Sequence, residues 1–347
     1  MAAALAARAD APIRVMIVDD SAVARAVMSQ ICGRHAHVAV VGSYGDAHSA
    51  LAGIGRHGAD VILLDIAMPG IDGLTALPDL LFASDDAAII VVSATCEQGG
   101  VAAIQAMALG AADTLAKPAA NQTGRAFDEQ LIERITRLAR EPTGRAAAAD
   151  DPSLPTLRPF DILALSASTG GIHALSQMLR PIPAAMTAPI LVTQHLPDAF
   201  MPYFAGQLAL LAGRPATVAQ TGTPVIPGRV LVAPGDAHMT VYEGSFGPAV
   251  RLQRRPALSG CCPSADPMLT SLADLYGAGT LAVTLSGMGR DGLAGAHAVR
   301  TAGGQIIVQD AESAVIWGMP GAVSRAGLAD AVLPPAEIGA LIARSAR

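Results

Sequence analysis

The chain has 347 residues, more than one domain core usually holds, so two domains are expected. Apolar residues make up 52% and aromatics only 3%, so alanine and the branched aliphatics must build the cores; no run approaches the roughly 18 apolar residues that span a bilayer, which excludes direct membrane insertion. A net charge of −6 argues against nucleic acid as the main partner, and four irregularly spaced cysteines (Cys32, Cys96, Cys261, Cys262) suit neither a disulfide framework nor a zinc motif, so reduced thiols in a cytoplasmic protein are expected.

Residues 1–12 carry Arg8 and Asp10 and lack the sustained apolar stretch of a secretory signal, and read as an N-terminal tail. From 13 to 140 short aliphatic runs (13–18, 38–41, 61–64, 88–92, 114–116) alternate with helix-like stretches (21–31, 46–57, 73–82, 99–109, 127–140). Such units predict an α/β domain, a doubly wound parallel sheet with helices on both faces. Asp19 and Asp20 follow the first run, Asp65 the third, Ser93 the fourth and Lys117 the fifth. Ligands bind outside the carboxyl ends of such strands, so these residues can converge. Three carboxylates together need a hard cation, for which Mg²⁺ is suited. A lysine and a hydroxyl beside them could hold a phosphoryl group carried on Asp65.

The motifs Val18-Asp19-Asp20-Ser21, Leu64-Asp65 through Met68-Pro69-Gly70, Val92-Ser93-Ala94 and Ala116-Lys117-Pro118 resemble those of response-regulator receiver domains. The resemblance implies a flavodoxin-like fold in which Asp65 accepts a phosphoryl group from a histidine kinase. It also implies that Asp19 and Asp20 join Asp65 in binding Mg²⁺, and that Ser93 and Lys117 contact the phosphoryl oxygens. Thr114 departs from the pattern, because many receivers carry an aromatic three residues before the lysine.

Residues 141–159 lack periodicity and hold four prolines, as expected of a somewhat stiff linker. From 160 to 347 the alternation resumes, with buried-strand candidates at 162–165, 190–193, 281–285 and 305–308. This predicts a second, Rossmann-like α/β domain. Gly/Pro turns between 217 and 252 separate short runs such as 229–233, and predict hairpin strands on the edge of its sheet.

Ser168 follows the run 162–165 in Ser-Ala-Ser-Thr-Gly-Gly, before apolar residues at helical spacing (Ile172, Leu175, Met178, Leu179). A strand-to-helix turn suits a nucleophile, a bound phosphate or a simple helix cap by Ser168 or Thr169. His195 follows the run 190–193, and Asp291 lies in the loop after 281–285. A hydroxyl, an imidazole and a carboxylate at one sheet edge are the parts that acyl transfer needs. Spacing leaves the acid open, since Asp310 ends the run 305–309 and Asp198 lies near His195. Glycines 170, 171, 287 and 289 would let backbone donors approach a developing oxyanion.

Ala167-Ser168-Thr169-Gly170-Gly171, Thr193-Gln194-His195-Leu196-Pro197, Val232-Ala233-Pro234-Gly235, Gly287-Met288-Gly289-Arg290-Asp291-Gly292 and Trp317-Gly318-Met319-Pro320-Gly321 resemble the catalytic domain of the CheB-type chemotaxis protein-glutamate methylesterases. In that family the domain also follows a receiver. The resemblance implies that Ser168 is the nucleophile, His195 the general base and Asp291 its partner. It further implies that Thr169 shapes the site, that the Met288 N–H serves the oxyanion hole and that no cofactor is needed for catalysis. Expected partners are methyl-accepting receptors as substrates, by γ-glutamyl methyl ester or glutamine amide, and a chemotaxis histidine kinase as phosphodonor. Phosphorylation at Asp65 is expected to relieve inhibition by the receiver. The alternative readings are an inactive, receiver-controlled module docking on receptors, and a nucleotide on the Gly-rich turn. Two positions depart from the family pattern: Ser166, often glycine, and Cys261-Cys262 before Pro263-Ser264, where relatives usually show a basic or histidine residue.

Overall fold

The computed structural model describes residues 11–84, 87–94, 101–118, 125–140 and 156–345. Two compact units divide between Thr143 and Gly144. The tail to residue 10, residues 141–155 of the expected linker, Cys96 and the first residues of the helix expected from 99 lie outside the described residues.

The first unit runs β1 (Ile13–Val18), α1 (Ala22–Gly33), β2 (Val38–Tyr44), α2 (Ala47–His57), β3 (Val61–Leu64), α3 (Gly73–Ala83), β4 (Ala88–Ser93), α4 (Val101–Ala108), β5 (Asp113–Ala116) and α5 (Arg125–Arg140). Its five strands lie parallel in the order β2-β1-β3-β4-β5. Every residue of β3 and β4 is buried, as helices on both faces require. Successive side chains alternate between the two cores, Met16, Ile62 and Leu64 on one face, Val15, Ile17 and Leu63 on the other. Helices expected from 21 and 46 begin one residue later because Ser21 and Asp46 are their caps. Ser21 Oγ accepts from the Ala24 N–H and Asp46 Oδ1 from the Ser49 N–H.

The second unit runs β6 (Ile162–Ala167), α6 (Gly171–Leu179), β7 (Ile190–Gln194), α7 (Met201–Ala212), β8 (Ala216–Val218), β9 (Val230–Val232), β10 (His238–Gly244), β11 (Gly247–Gln253), α8 (Ala265–Tyr276), β12 (Thr280–Thr284), α9 (Leu293–Thr301), β13 (Gln305–Gln309), α10 (Met319–Arg325), β14 (Ala331–Leu333) and α11 (Pro335–Ser345). Its seven-stranded sheet has the order β14-β13-β12-β6-β7-β9-β8, parallel throughout. One expectation is corrected in detail. The run at 229–233 is not half of a hairpin, because β9 pairs in parallel with both β7 and β8. The hairpin is β10–β11, a separate two-stranded sheet rather than the edge of the large one. Its apolar face (Met239, Val241, Val250) packs with Met268, Leu269 and Leu272 of α8. Turn residues mark where the chain reverses, but not which sheet the strands join.

Residues 156–159, expected in the linker, belong to this unit by their contacts. Leu157 is buried, the Arg158 N–H donates to Gln305 Oε1 (2.8 Å) and Gln305 Nε2 donates to the Arg158 carbonyl (3.0 Å). Among the described residues no helix is long and apolar enough to cross a membrane.

Candidate active site

In the first unit, β1 lies beside β3 with Val18 opposite Leu64, which sets Asp19 and Asp65 side by side at the carboxyl edge. Ser93 ends β4 opposite Ala116, and its carbonyl accepts the Lys117 N–H (3.2 Å), which brings Lys117 to the same edge. Lys117 Nζ lies 2.7 Å from Asp19 Oδ2 and 2.8 Å from Asp65 Oδ2. Burial alone would lower the Lys117 pKa, but bonding to Asp19 and Asp65 outweighs it and holds the ammonium above its ordinary range. Asp19, Asp20 and Asp65 each bring a carboxylate oxygen within 4.8 Å of the others. Only Asp20 of these is exposed. Three hard oxygen donors, two on buried carboxylates, fit Mg²⁺ by donor type. Thr114 sits on β5 opposite Val91 of β4, two strands over from β3, which Asp65 follows.

In the second unit β6 lies mid-sheet, with β7 on one side and β12 on the other. The chain leaves β6 toward β7 and returns later to β12, so a switch point and its crevice lie between β6 and β12. Ser168 follows β6 and His195 follows β7; the Ala167–Gln194 pair closes that ladder and the His195 N–H donates to the Ala167 carbonyl (3.2 Å). Adjacent parallel strands lie roughly 4.8 Å apart, so the two residues share one short edge.

The turn at Ser168 is fastened from several sides. Its N–H donates to the Ser286 carbonyl (2.9 Å), and its own carbonyl accepts from the Gly171 N–H (2.8 Å) and Gln194 Nε2 (2.9 Å). Ser286 Oγ donates to the Thr169 carbonyl (2.8 Å), while the Thr169 side chain is exposed. Gly170 is the residue before α6, at φ +77°, and makes no side-chain cap, so neither hydroxyl is spent on capping. A methyl group at Gly287 would fall 2.7 Å from Ser168 Cβ, so glycine is what lets the following loop lie against the serine. The next residue, Met288, carries an exposed side chain. Ser166, a departure from the family pattern, is fully buried and its Oγ has no hydrogen-bond partner among the described residues.

His195 Nε2 lies 2.8 Å from Asp291 Oδ2. Asp291 is 1% exposed, and also accepts the Ala265 N–H at Oδ2 (2.7 Å) and Ser264 Oγ at Oδ1 (2.5 Å). Burial pushes its pKa up, yet the bonds from His195, Ala265 and Ser264 prevail and hold it down to about 2. An ionised carboxylate only accepts, so the proton of neutral His195 sits on Nε2 and Nδ1 carries the basic lone pair.

The other acids are occupied elsewhere. Asp310 Oδ1 accepts the Ser313 N–H (3.1 Å) and hydroxyl, and Asp198 Oδ1 accepts the Gly235 N–H (3.0 Å). His173 in α6 pairs with Gln177 (3.1 Å), and Trp317 donates Nε1–H to the Gln309 carbonyl (2.8 Å). Reading the sequence missed Ser264, His238 and Gln194. Ser264 is fully buried, caps α8 and holds Asp291; its N–H donates to His238 Nδ1 (3.0 Å), whose Nε2–H is bound by the Arg255 carbonyl (2.6 Å). The signal available was the helix-start pattern Ser264-Ala265-Asp266. Cys261 brings its sulfur within 4.8 Å of a ligand atom of His195 and of Asp291, and burial first, then the Asp291 charge, hold its thiol above the ordinary range.

Residues 163–342 match the family model described as CheB methylesterase, and residues 15–126 that described as response regulator receiver domain. A Caulobacter vibrioides protein named protein-glutamate methylesterase/protein-glutamine glutaminase 2 is 42% identical over 345 residues, covering 96% of this chain and 99% of its own. An Azospirillum brasilense protein named protein-glutamate methylesterase/protein-glutamine glutaminase is 37% identical over 366 residues, covering 96% and 93%. Among solved structures, the Thermotoga maritima CheB methylesterase catalytic domain matches with a TM-score of 0.51 and 34% identity, over 53% of this chain and 99% of that one.

Proposed function

Since the chain belongs to the CheB methylesterase family, with a receiver domain ahead of the catalytic domain, we propose that it is a phosphorylation-regulated protein-glutamate methylesterase that demethylates methyl-accepting chemoreceptors through Ser168, His195 and Asp291. Protein-glutamine deamidation is a second reaction of the same site, since the two acyl groups differ only in what leaves. Receptor cytoplasmic helices as substrate place the reaction in the cytoplasm.

Ser168 Oγ attacks the γ-carbonyl carbon as its proton passes to His195 Nδ1. The imidazolium is stabilised across Nε2 by the Asp291 carboxylate. The oxyanion takes backbone donors, the Met288 N–H among them, with Thr169 shaping the turn; each donor is worth about 2.7–4 kcal/mol in comparable sites. The C–OCH₃ bond then breaks and methoxide leaves as methanol with the Nδ1 proton. Water, deprotonated by the same nitrogen, releases the acyl group as glutamate.

The first unit is the regulatory input. Asp65 accepts a phosphoryl group from a chemotaxis histidine kinase, with Ser93 and Lys117 at its oxygens. Asp19, Asp20 and Asp65 would hold Mg²⁺, which would neutralise phosphoryl charge when bound. The observation that carries the esterase reading is the buried Asp291 carboxylate bonded to His195 Nε2, one strand from Ser168.

Methanol release from methylated receptor, with and without a small phosphodonor, tests it. Ser168→Ala is expected to lower kcat roughly 10⁴-fold or more, since triad members act as a unit, and to abolish labelling by a fluorophosphonate probe. Near-normal cleavage by this variant would overturn the assignment. Receptor binding without methanol release or probe labelling by the natural chain would favour an inactive docking module.

A further inference from the structure

His195, Cys261 and Asp291 each bring one potential ligand atom within 4.8 Å of the other two. They arrive from separate segments: the end of β7, the loop before α8 and the loop after β12. Two of them have work in ester hydrolysis and Cys261 has none. Imidazole nitrogen, thiolate sulfur and carboxylate oxygen are the donors that Zn²⁺ takes, at about 2.0–2.1, 2.3 and 2.0–2.2 Å, and three protein ligands plus one open position make a recurring zinc arrangement. Tetrahedral angles at those lengths put ligand atoms about 3.3–3.6 Å apart. His195 Nε2 and Asp291 Oδ2, now 2.8 Å apart, would open slightly, and Cys261 Sγ would close in. Asp291 is already oriented by Ser264 Oγ and the Ala265 N–H, as the ligands of zinc sites are by their outer partners.

We propose that His195, Cys261 and Asp291 form an inhibitory site for Zn²⁺, and that its occupancy switches the esterase off. On binding, the Cys261 S–H bond breaks, the proton goes to solvent and an Sγ–Zn bond forms. The imidazole gives its Nε2 lone pair to the ion, so its one ring proton moves to Nδ1, the nitrogen that must be bare to deprotonate Ser168. Asp291 exchanges its hydrogen bond from Nε2 for a bond to the same ion. No electrons are transferred. Mg²⁺ does not compete, because it prefers oxygen donors and keeps its waters. The chain thereby carries two cation sites told apart by donor chemistry, hard carboxylates in the receiver and N/S/O donors here.

The test uses the full chain with an Asp65→Asn change to silence the receiver carboxylates, and reads two quantities. Zn²⁺ at ten times its apparent Kd is expected to cut methanol release about tenfold, with recovery on adding a chelator and no effect of excess Mg²⁺. Cd²⁺, a spectroscopic stand-in, is expected to give an ultraviolet thiolate-to-metal band. Cys261→Ala and Cys261→Ser are expected to keep the basal rate, lose the band and need at least tenfold more Zn²⁺ for inhibition; Cys262→Ser is expected to behave as its parent. Undiminished inhibition or an unchanged band in Cys261→Ala would overturn the proposal, as would no inhibition of the parent chain. The inhibitory half rests on the esterase reading; the Cd²⁺ band does not, so a chain that releases no methanol but shows a Cys261-dependent band would sink that reading and leave the metal site standing.

Discussion

The Asp291 carboxylate takes hydrogen bonds from three residues. It is buried, yet donors from His195, Ala265 and Ser264 hold its pKa at about 2. An unfolded aspartate titrates near ~3.9, so the folded value is depressed. The resulting stabilisation is complete above about pH 4 and is lost as pH falls through about 2; its size is about 2 kcal/mol. Urea unfolding between pH 5 and pH 2 is expected to show Asp291→Asn losing less stability than the natural chain by roughly that amount. Ser264→Ala removes a charged hydrogen bond worth about 1.5–3 kcal/mol. If that bond is needed in the transition state, kcat falls about 10- to 100-fold. The lost helix cap costs about 1 kcal/mol of stability as well, and Ser264→Thr is expected to restore both quantities in part. Spacing left Asp198, Asp291 and Asp310 as rival acids, because each follows a strand. What separates them is which hydrogen bonds each already makes, and that is written in distances rather than in order along the chain.

The loop after β12 and the turn after β6 can touch only because position 287 has no side chain. A methyl group there would sit 2.5 Å from Met319 Sδ and 2.7 Å from Ser168 Cβ. Gly287→Ala is therefore expected to displace the nucleophile and lower kcat by about 100-fold, a typical result of a 1 Å misplacement. Fluorophosphonate labelling should slow in parallel, and a normal labelling rate would show that the loop yields elsewhere. Fully buried elements such as β3, β4 and β7 were legible because each is, or begins with, an aliphatic run. β8 and β14, three residues each, were not, because a single turn of pattern carries no period. The hairpin was legible as turns and runs, but its separation from the large sheet depends on its apolar face meeting α8, a tertiary preference. The strand-edge positions of Ser168, His195, Asp19, Asp65 and Lys117 were legible since each directly follows an aliphatic run.

For the whole chain, the regulatory prediction is that a small phosphodonor with Mg²⁺ raises methanol release by the natural chain and leaves Asp65→Asn at its basal rate. Equal stimulation of both would place the phosphate elsewhere. Thr114 occupies the position where many receivers use an aromatic, so the response is expected to pass by another route than a ring changing its burial. The sheet order β12-β6-β7 has a temporal consequence as well. The acid lies 96 residues beyond the histidine, and ribosomes add about 5–20 residues per second. A nascent chain thus carries its serine and imidazole for about 5 to 20 s before the carboxylate is made. The receiver precedes the catalytic domain along the chain, so its sequence is complete before the serine, the imidazole or the carboxylate is made.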